Sequence, residues 1–254
     1  MKLNIVPAAR GFQWVQLGFR TFLKQPLALA ALVFLYATLG LAMLVVPLLG
    51  PFLACALVPV ATLGLMAATR VAQESAFPMP TVLFTGLRAS RERVRAMLAL
   101  GAFYAAAILV LAIVVALLVP VPAEGKTAME IAQSDEFRLR VTLTAVFYIP
   151  FSLAFWHAPA LVHWHGVPAV KSLFFSFVAC IRNLRAFAMY ALAWVGIAIA
   201  VLAASGVAAA VSQVLAAVVF GATSTIATIA FYISLYFTFR DSFLDDPEET
   251  PGGP

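Results

Sequence analysis

The sequence predicts an all-α polytopic membrane protein with six transmembrane helices, and its composition is the first reason. Of the 254 residues, 64% are hydrophobic and only 11% are charged, where a soluble domain carries about 25% charged residues. The charged residues are also clustered, so that four long stretches of the chain contain none. A soluble fold of this size cannot hide so many apolar side chains, so we expect many of them to face lipid.

The four uncharged stretches divide into six spans of about 20 residues each. Gln25–Thr69 is 45 residues long, Ala96–Ala123 is 28, Val141–Val170 is 30 and Ala186–Phe239 is 54. The two middle stretches hold one helix each. Each outer stretch holds a hairpin, because one helix of 54 residues would be about 80 Å long, far more than a bilayer.

Helix-breaking residues mark the turns between spans. The first hairpin, 27–69, turns at Pro47–Pro51, where two prolines and a glycine interrupt the helix. The last hairpin, 186–239, turns between Ser205 and Gln213. The third and fourth spans lie within 96–163 and are joined by a loop at 120–140.

The distribution of basic residues predicts the orientation of the spans. Six spans place 13 of the 16 lysines and arginines on one side of the membrane. The positive-inside rule assigns that side to the cytoplasm, so both termini are expected there and the loop 120–140 is expected in the periplasm. The acidic segment 240–254, predicted to be a disordered tail, contributes little to orientation.

Three short amphipathic segments precede the three pairs of spans. They cover 1–26, 80–95 and 168–185, and their spacings of three and four residues are typical of helices that lie in the membrane interface. The sequence therefore predicts three units, each a cytoplasmic interfacial helix followed by two spans. The alternative, that any segment beside a membrane span tends to be basic and amphipathic, stays open. The apolar face of the first helix is formed by Phe12, Val15, Phe19 and Phe22.

The basic residues of these segments are candidate contacts for anionic lipid headgroups. We attribute the net charge of +5 to topology and lipid, and expect no nucleic-acid partner. In the second segment one predicted helical stripe runs from Thr81 through Thr85, Arg88 and Glu92 to Arg95. The candidate headgroup contacts are Arg20, Lys24, Arg88, Arg91, Arg93, Arg95, Lys171, Arg182 and Arg185.

Residues that carry chemistry are scarce within the spans. All eleven acidic residues lie outside the six predicted segments, which disfavours ion-coupled transport and intramembrane aspartyl proteolysis. The motifs of serine hydrolases, zinc proteases and phosphate-binding loops are absent from the sequence. We predict no catalytic residue, no cofactor and no enzymatic activity.

The three histidines, His157, His163 and His165, lie near the end of the fourth span. Their separations of six and two residues do not share a helical face, and the neighbouring sequence offers no further metal ligand. We therefore expect no metal site, and favour a role in packing or in an interfacial belt. A functional histidine is the alternative, with His157 the candidate because it lies deepest.

Small and hydroxyl residues form stripes on the last two spans. On the sixth, Gly221 continues into a stripe of hydroxyl side chains, and on the fifth Gly196 is followed by alanines at intervals of four. Helix packing is favoured for both stripes, and a polar cavity is the alternative. The candidate intramembrane polar site consists of His157, Thr225, Thr228 and Tyr232.

Several blocks of the sequence match a known pattern. They are Trp14–Pro26 (W-x-x-x-G-F-x-x-F-x-x-x-P), Ala158–Gly166 (A-P-A-L-V-x-W-H-G), Lys171–Phe177 (K-S-L-F-F-S-F) with Arg182–Asn183, and Tyr236–Asp241 (Y-F-T-F-R-D). With these blocks the chain resembles, over nearly its whole length, a family of polytopic inner-membrane proteins of beta-proteobacteria with no assigned activity. The resemblance implies a location in a bacterial inner membrane.

These observations favour a non-enzymatic protein that organises anionic lipid or partner proteins through its basic interfacial helices. Its partners would be membrane lipids, another membrane protein or further copies of itself. The alternative is a small transporter or channel for a neutral or lipid-like solute, which a cavity between polar faces of the fourth and sixth spans would favour. A membrane enzyme is the third and weakest hypothesis.

Overall fold

A computed structural model describes residues 2–120 and 127–244, which are almost entirely helical. Within these residues six helical spans are long and apolar enough to cross a bilayer, which confirms the predicted fold class. The spans are α2 (Pro26–Leu44), α3 (Gly50–Gln73), α4 (Arg91–Leu118), α6 with α7 (Asp135–Trp156 and Ala158–His165), α9 (Leu184–Ala209) and α10 (Gln213–Ser242).

Shorter elements connect the spans, and the chain divides into two compact units. The first unit is built from residues 1–36, 62–85 and 178–254, and the second from residues 37–61 and 86–177. Residues 2–3 and 243–244 form two short strands, which pair with each other in an antiparallel arrangement. The shorter elements are β1 (Lys2–Leu3), α1 (Arg10–Lys24), a 3₁₀ helix (Pro80–Leu87), α5 (Ala128–Gln133), α8 (Ala169–Arg182) and β2 (Phe243–Leu244).

Both predicted hairpin turns lie close to their breakers. The first helix of the first hairpin ends at Leu44, and Leu48 in the turn adopts a left-handed φ of 62°. The second turn lies between Ala209 and Gln213, where the Ser212 hydroxyl accepts a hydrogen bond of 3.0 Å from a backbone N–H in the first turn of α10. A serine cap of this kind satisfies a donor that the helix itself leaves unpaired.

The prediction of one interfacial helix over 80–95 was wrong. The structure has the 3₁₀ helix up to Leu87, a break, and then α4 from Arg91. Ser90 causes the break, because it takes an extended conformation with ψ of 155° and its side chain accepts from the Arg93 N–H. The expected single stripe of Thr81 to Arg95 is therefore divided between two elements.

The region around the fourth span also differs from the prediction. The span is broken at His157, because Pro159 has no N–H to donate and its ring would clash within a continuous helix. The sequence predicted a loop over 120–140, but the structure has helix α5 and the first residues of α6 in this range. Thr127 and Ser134 each accept a hydrogen bond from a backbone N–H and so start these two helices.

The predicted disordered tail 240–254 begins too early. Residues 240–242 are the last turn of α10, and Phe243–Leu244 form β2, which pairs with the N-terminal strand. Both Asp241 and Ser242 are buried. The remainder of the predicted tail, 245–254, lies outside the described residues.

In the first unit α1 packs against α9 and α10. Its buried stripe is formed by small and large residues together, and differs from the apolar face expected from sequence, since Phe12 is 49% exposed. Gly18 allows the closest approach to α10, because a Cβ there would lie 2.6 Å from the carbonyl oxygen of Ala230. The buried stripe consists of Gly11, Trp14, Val15, Gly18, Thr21 and Phe22.

The 3₁₀ helix and α8 both pack against the span that comes before them in the chain. The 3₁₀ helix meets the preceding span α3, where a Cβ on Gly64 would lie 2.5 Å from the Cα of Leu83. Helix α8 meets the preceding span as well, since the Ser176 hydroxyl donates 2.8 Å to the carbonyl of Leu153. Helix α1 instead packs against α10.

Candidate functional site

The nine candidate headgroup residues are all exposed, which is the first requirement for binding a lipid headgroup. They lie at helix ends: at the end of α1, around the start of α4, at both ends of α8 and at the start of α9. Within residues 2–120 and 127–244 none of the nine forms an ion pair. Their charges are therefore not neutralised by the described part of the chain.

Other arginines are engaged by neighbouring groups. Arg70 faces Glu74 one turn along α3, with the guanidinium 3.6 Å from the carboxylate, and Arg138 pairs with Asp135. Arg140 donates a hydrogen bond of 2.9 Å to the carbonyl of Val119. The structure thus separates structural arginines from the nine exposed cations.

A buried carboxylate, Asp241, organises the most extensive polar cluster of the first unit. Its Oδ2 accepts hydrogen bonds from Arg10 Nε at 2.6 Å and from Trp14 Nε1 at 2.8 Å. Its Oδ1 accepts from Arg240 Nε at 3.0 Å. Because the Asp241 side chain is only 9% exposed, these donors replace the water that its charge would otherwise require.

A second polar contact ties the N-terminal segment to the junction of α8 and α9. The Asn183 Oδ1 accepts from the Val6 N–H at 2.9 Å, and its Nδ2 donates to the carbonyl of Asn4 at 3.0 Å. Asn4 in turn donates through Nδ2 to the Asp241 carbonyl at 2.8 Å. With the β1–β2 pairing, these bonds hold both ends of the described chain together. We refer to this set, Asn4, Arg10, Trp14, Asn183 and Asp241, as the terminal clamp.

Reasoning from sequence missed the terminal clamp. Asp241 stands next to further acidic residues and was assigned to the tail, and Arg10 was counted only as a topology signal. The available signal was the pattern shared with the resembling family, which includes Trp14, Asn183 and Asp241. That pattern identifies the residues but does not show that they meet.

The histidines are placed differently from one another. His157 is completely buried in the second unit, where its backbone N–H donates 2.9 Å to the Ser176 hydroxyl. His163 and His165 are half-buried, and the His163 ring lies 6.2 Å from that of Trp164. The complete burial of His157 therefore fits a role in helix packing better than a position in a belt of residues at the membrane interface. The absence of metal stays a prediction.

The candidate intramembrane polar site is not assembled as one cluster in either unit. His157 belongs to the second unit, and Thr225, Thr228 and Tyr232 belong to the first. Thr228 and Tyr232 line a groove between α9 and α10, and Tyr232 also contacts Tyr36 with 6.0 Å between ring centroids.

The close helix approach expected at the glycines of the fifth and sixth spans is not found in the described part of the chain. A Cβ at Gly196 or Gly221 would meet no atom within 4 Å. The two helices meet nearer their other ends, where the hydroxyls of Tyr190 and Ser234 are 2.6 Å apart.

Comparison with known proteins gives one informative match. No family model matches the chain, and no solved structure matches it. The chain is 33% identical over 273 aligned positions to a probable inner membrane protein of Burkholderia thailandensis, and the alignment covers 100% of this chain and 97% of that protein. The resemblance found in the sequence is thereby confirmed. The chain is a helical, multi-pass membrane protein, and it belongs to the family of this probable inner membrane protein.

Proposed function

We propose that this protein binds and organises anionic phospholipids at the cytoplasmic face of a bacterial inner membrane, through its nine exposed basic residues. The observation that carries the proposal is the division of the cations into two sets. Arg10, Arg70, Arg138 and Arg240 have carboxylate partners. The nine candidate residues have none among the described residues, so their charges remain available to an external anion.

The position of these cations fits a lipid headgroup. Arg88, Arg91, Arg93 and Arg95 surround the start of a span, α4, and so lie where the chain enters the bilayer. Each cation near an anionic leaflet contributes about 1 kcal/mol, so four contribute roughly 4 kcal/mol before screening. Salt weakens the attraction over a Debye length of about 8–10 Å.

The cytoplasmic assignment rests on charge and on the family. The nine residues belong to the segments that six alternating spans place on the basic side of the membrane, which the positive-inside rule assigns to the cytoplasm. The relative from Burkholderia thailandensis is named a probable inner membrane protein, which supports the same membrane for this chain.

Native mass spectrometry in mild detergent tests the proposal. The purified full chain is incubated with equal amounts of phosphatidylglycerol and phosphatidylethanolamine, and bound lipids are counted. We expect the wild type to prefer phosphatidylglycerol. A fourfold variant, Arg88→Gln, Arg91→Gln, Arg93→Gln and Arg95→Gln, should lose most of that preference because it lacks the charges.

The matched control replaces the same four arginines with lysine, which keeps the charge and changes only the shape of the cation. We expect this variant to retain the preference. Equal retention of phosphatidylglycerol by the wild type and the glutamine variant would show that these arginines set topology alone.

A further inference from the structure

The α9–α10 hairpin forms a groove within the first unit, and α1 fills only one part of it. Gly18 of α1 packs against α10 at Ala230, and the ring of Phe19 stacks on Trp194 of α9 with centroids 5.9 Å apart. Beyond Trp194 the groove continues toward the hairpin turn and is open, with a volume of about 470 Å³. We call this open part the hairpin groove.

The lining of the hairpin groove suits hydrocarbon. Aromatic side chains line it, among them Trp194, Phe220 and Phe231, together with the small side chains of Ala198 and Ala227. The hydroxyl of Ser224, which also lines it, already donates 2.5 Å to the carbonyl of Phe220. Because α9 and α10 are both spans, the medium at this groove is the bilayer interior rather than water.

The dimensions of the groove are sufficient for a lipid chain. Trp194 and Leu202 bound it on α9 and are about 12 Å apart along the helix axis, so a volume of about 470 Å³ gives a mean cross-section of about 40 Å². Carbon atoms in contact are about 4 Å apart, so an extended hydrocarbon chain fits this space.

A groove of the same construction occurs independently in the second unit. It lies between α4 and α6 and has a volume of about 500 Å³. Its walls are Phe103, Phe147 and Phe151, and alanines 106 and 107 line it as well. Two hairpins thus present aromatic walls around small residues, which is expected if both meet the same abundant ligand.

From these observations we infer that the hairpin groove is a binding site for one acyl chain of a membrane phospholipid. Recognition is by hydrocarbon packing, because the sequence contains no charged residue between Arg185 and Arg240 that could select a headgroup. The site goes beyond the proposed function and does not depend on it, since an uncharged lipid is expected to bind as well as an anionic one.

Photocrosslinking in vesicles tests the inference. The full chain is reconstituted in phosphatidylcholine containing a small fraction of phosphatidylcholine with a diazirine midway along one acyl chain. Lipid adducts are mapped by mass spectrometry. The amount of adduct at Val201 and Thr228 in the groove is divided by the amount at Ile199 and Val218, which are exposed outside it, to give a ratio. We expect a ratio well above one in the wild type, because a chain held in the groove stays beside those residues.

Two variants with matched side-chain changes separate groove binding from general contact with lipid. Ala198→Phe with Ala227→Phe fills the groove and should lower the ratio to about one. Ala200→Phe with Ala222→Phe adds the same bulk at positions of α9 and α10 that do not line the groove, and should leave the ratio unchanged. The single change Ala198→Leu, which is less disruptive to folding, should lower the ratio in the same direction.

Three results would overturn the inference. They are a ratio near one in the wild type, a ratio that the groove-filling variants leave unchanged, and loss of a dimer in those variants without loss of lipid adducts, which would identify the groove as a contact between two copies of the chain. The arginine variants of the headgroup test should not change this ratio. Failure of one proposal is therefore distinguishable from failure of the other.

Discussion

At the level of single residues, Asp241 shows how a charge is accommodated at the end of a membrane-spanning helix. A carboxylate that is only 9% exposed needs donors in place of water. Arg10 and Trp14 supply them from α1, and Arg240 supplies another from α10 itself. The charge pair therefore also joins two elements that are far apart in sequence.

We expect Asp241→Asn to lower the free energy of unfolding by about 1–2 kcal/mol, because hydrogen bonds to a charged group are lost and Arg10, which is 35% exposed, regains part of its hydration. Unfolding in mixed micelles, followed by circular dichroism, measures the change. Asp135→Asn is the control, since Asp135 also pairs with an arginine but is 89% exposed. Equal effects of the two changes would contradict a structural role for the terminal clamp.

The residue scale also shows what sequence can and cannot predict about a site. Exposure of the nine basic residues followed from their position beside the spans. The engagement of Arg10 did not, because its partner Asp241 is 231 positions away and stands beside other acidic residues. Composition and local spacing carry no information about such a pair.

At the level of elements, α1 depends on two small residues. Gly11 and Gly18 face backbone atoms of α9 and α10, and any side chain there would press into a carbonyl oxygen. Association of helices in a membrane relies on such close approach, since lipid tails are as apolar as the side chains they replace.

A pair of identical substitutions with opposite expected signs tests this packing. Gly18→Ala should destabilise the protein by about 1–3 kcal/mol through overpacking, because the new methyl carbon would lie 2.6 Å from the carbonyl oxygen of Ala230. Gly196→Ala should stabilise it by about 0.5–1 kcal/mol, because that position is helical and open within 4 Å. Thermal unfolding in detergent measures both. Destabilisation by both to the same extent would show that helix approach at Gly18 is not the cause.

The elements themselves were predictable where a single physical rule decides them. Uncharged stretches of sufficient length predicted the six spans. The break before α4 was not predicted, although the conformation and side-chain cap of Ser90 explain it. The partner of α1 was not predictable. Amphipathic spacing shows that a helix has an apolar side, but a protein helix and a lipid surface cover that side equally well.

At the level of the whole molecule, the division of the chain into three related segments stays a prediction, which the packing of the short helices does not test. The 3₁₀ helix and α8 each pack on the span that precedes them, and α1 packs on the last span. The contact of α1 with α10 brings Arg10 and Trp14 to Asp241, so the terminal clamp joins residues that are far apart in sequence.

The orientation of the spans is a prediction from the distribution of basic residues, and it is open to a direct test. In the first unit, the N-terminal residues contact the end of α10, so both ends of the described chain lie on one side of any membrane that the six spans cross. The excess of basic residues on that side predicts that it faces the cytoplasm.

Reporters fused after Ser75, Pro168 and Asp246 should therefore give cytoplasmic signals, and a reporter placed within 124–135 should give a periplasmic one. Alkaline phosphatase and green fluorescent protein fusions measure the two sides with opposite sensitivity, which controls for differences in expression. A periplasmic signal from the fusion after Asp246, together with cytoplasmic signals from the other two, would require an odd number of spans and would be incompatible with the pairing of β1 and β2. Reversed signals from all four fusions would instead show that the predicted orientation is wrong.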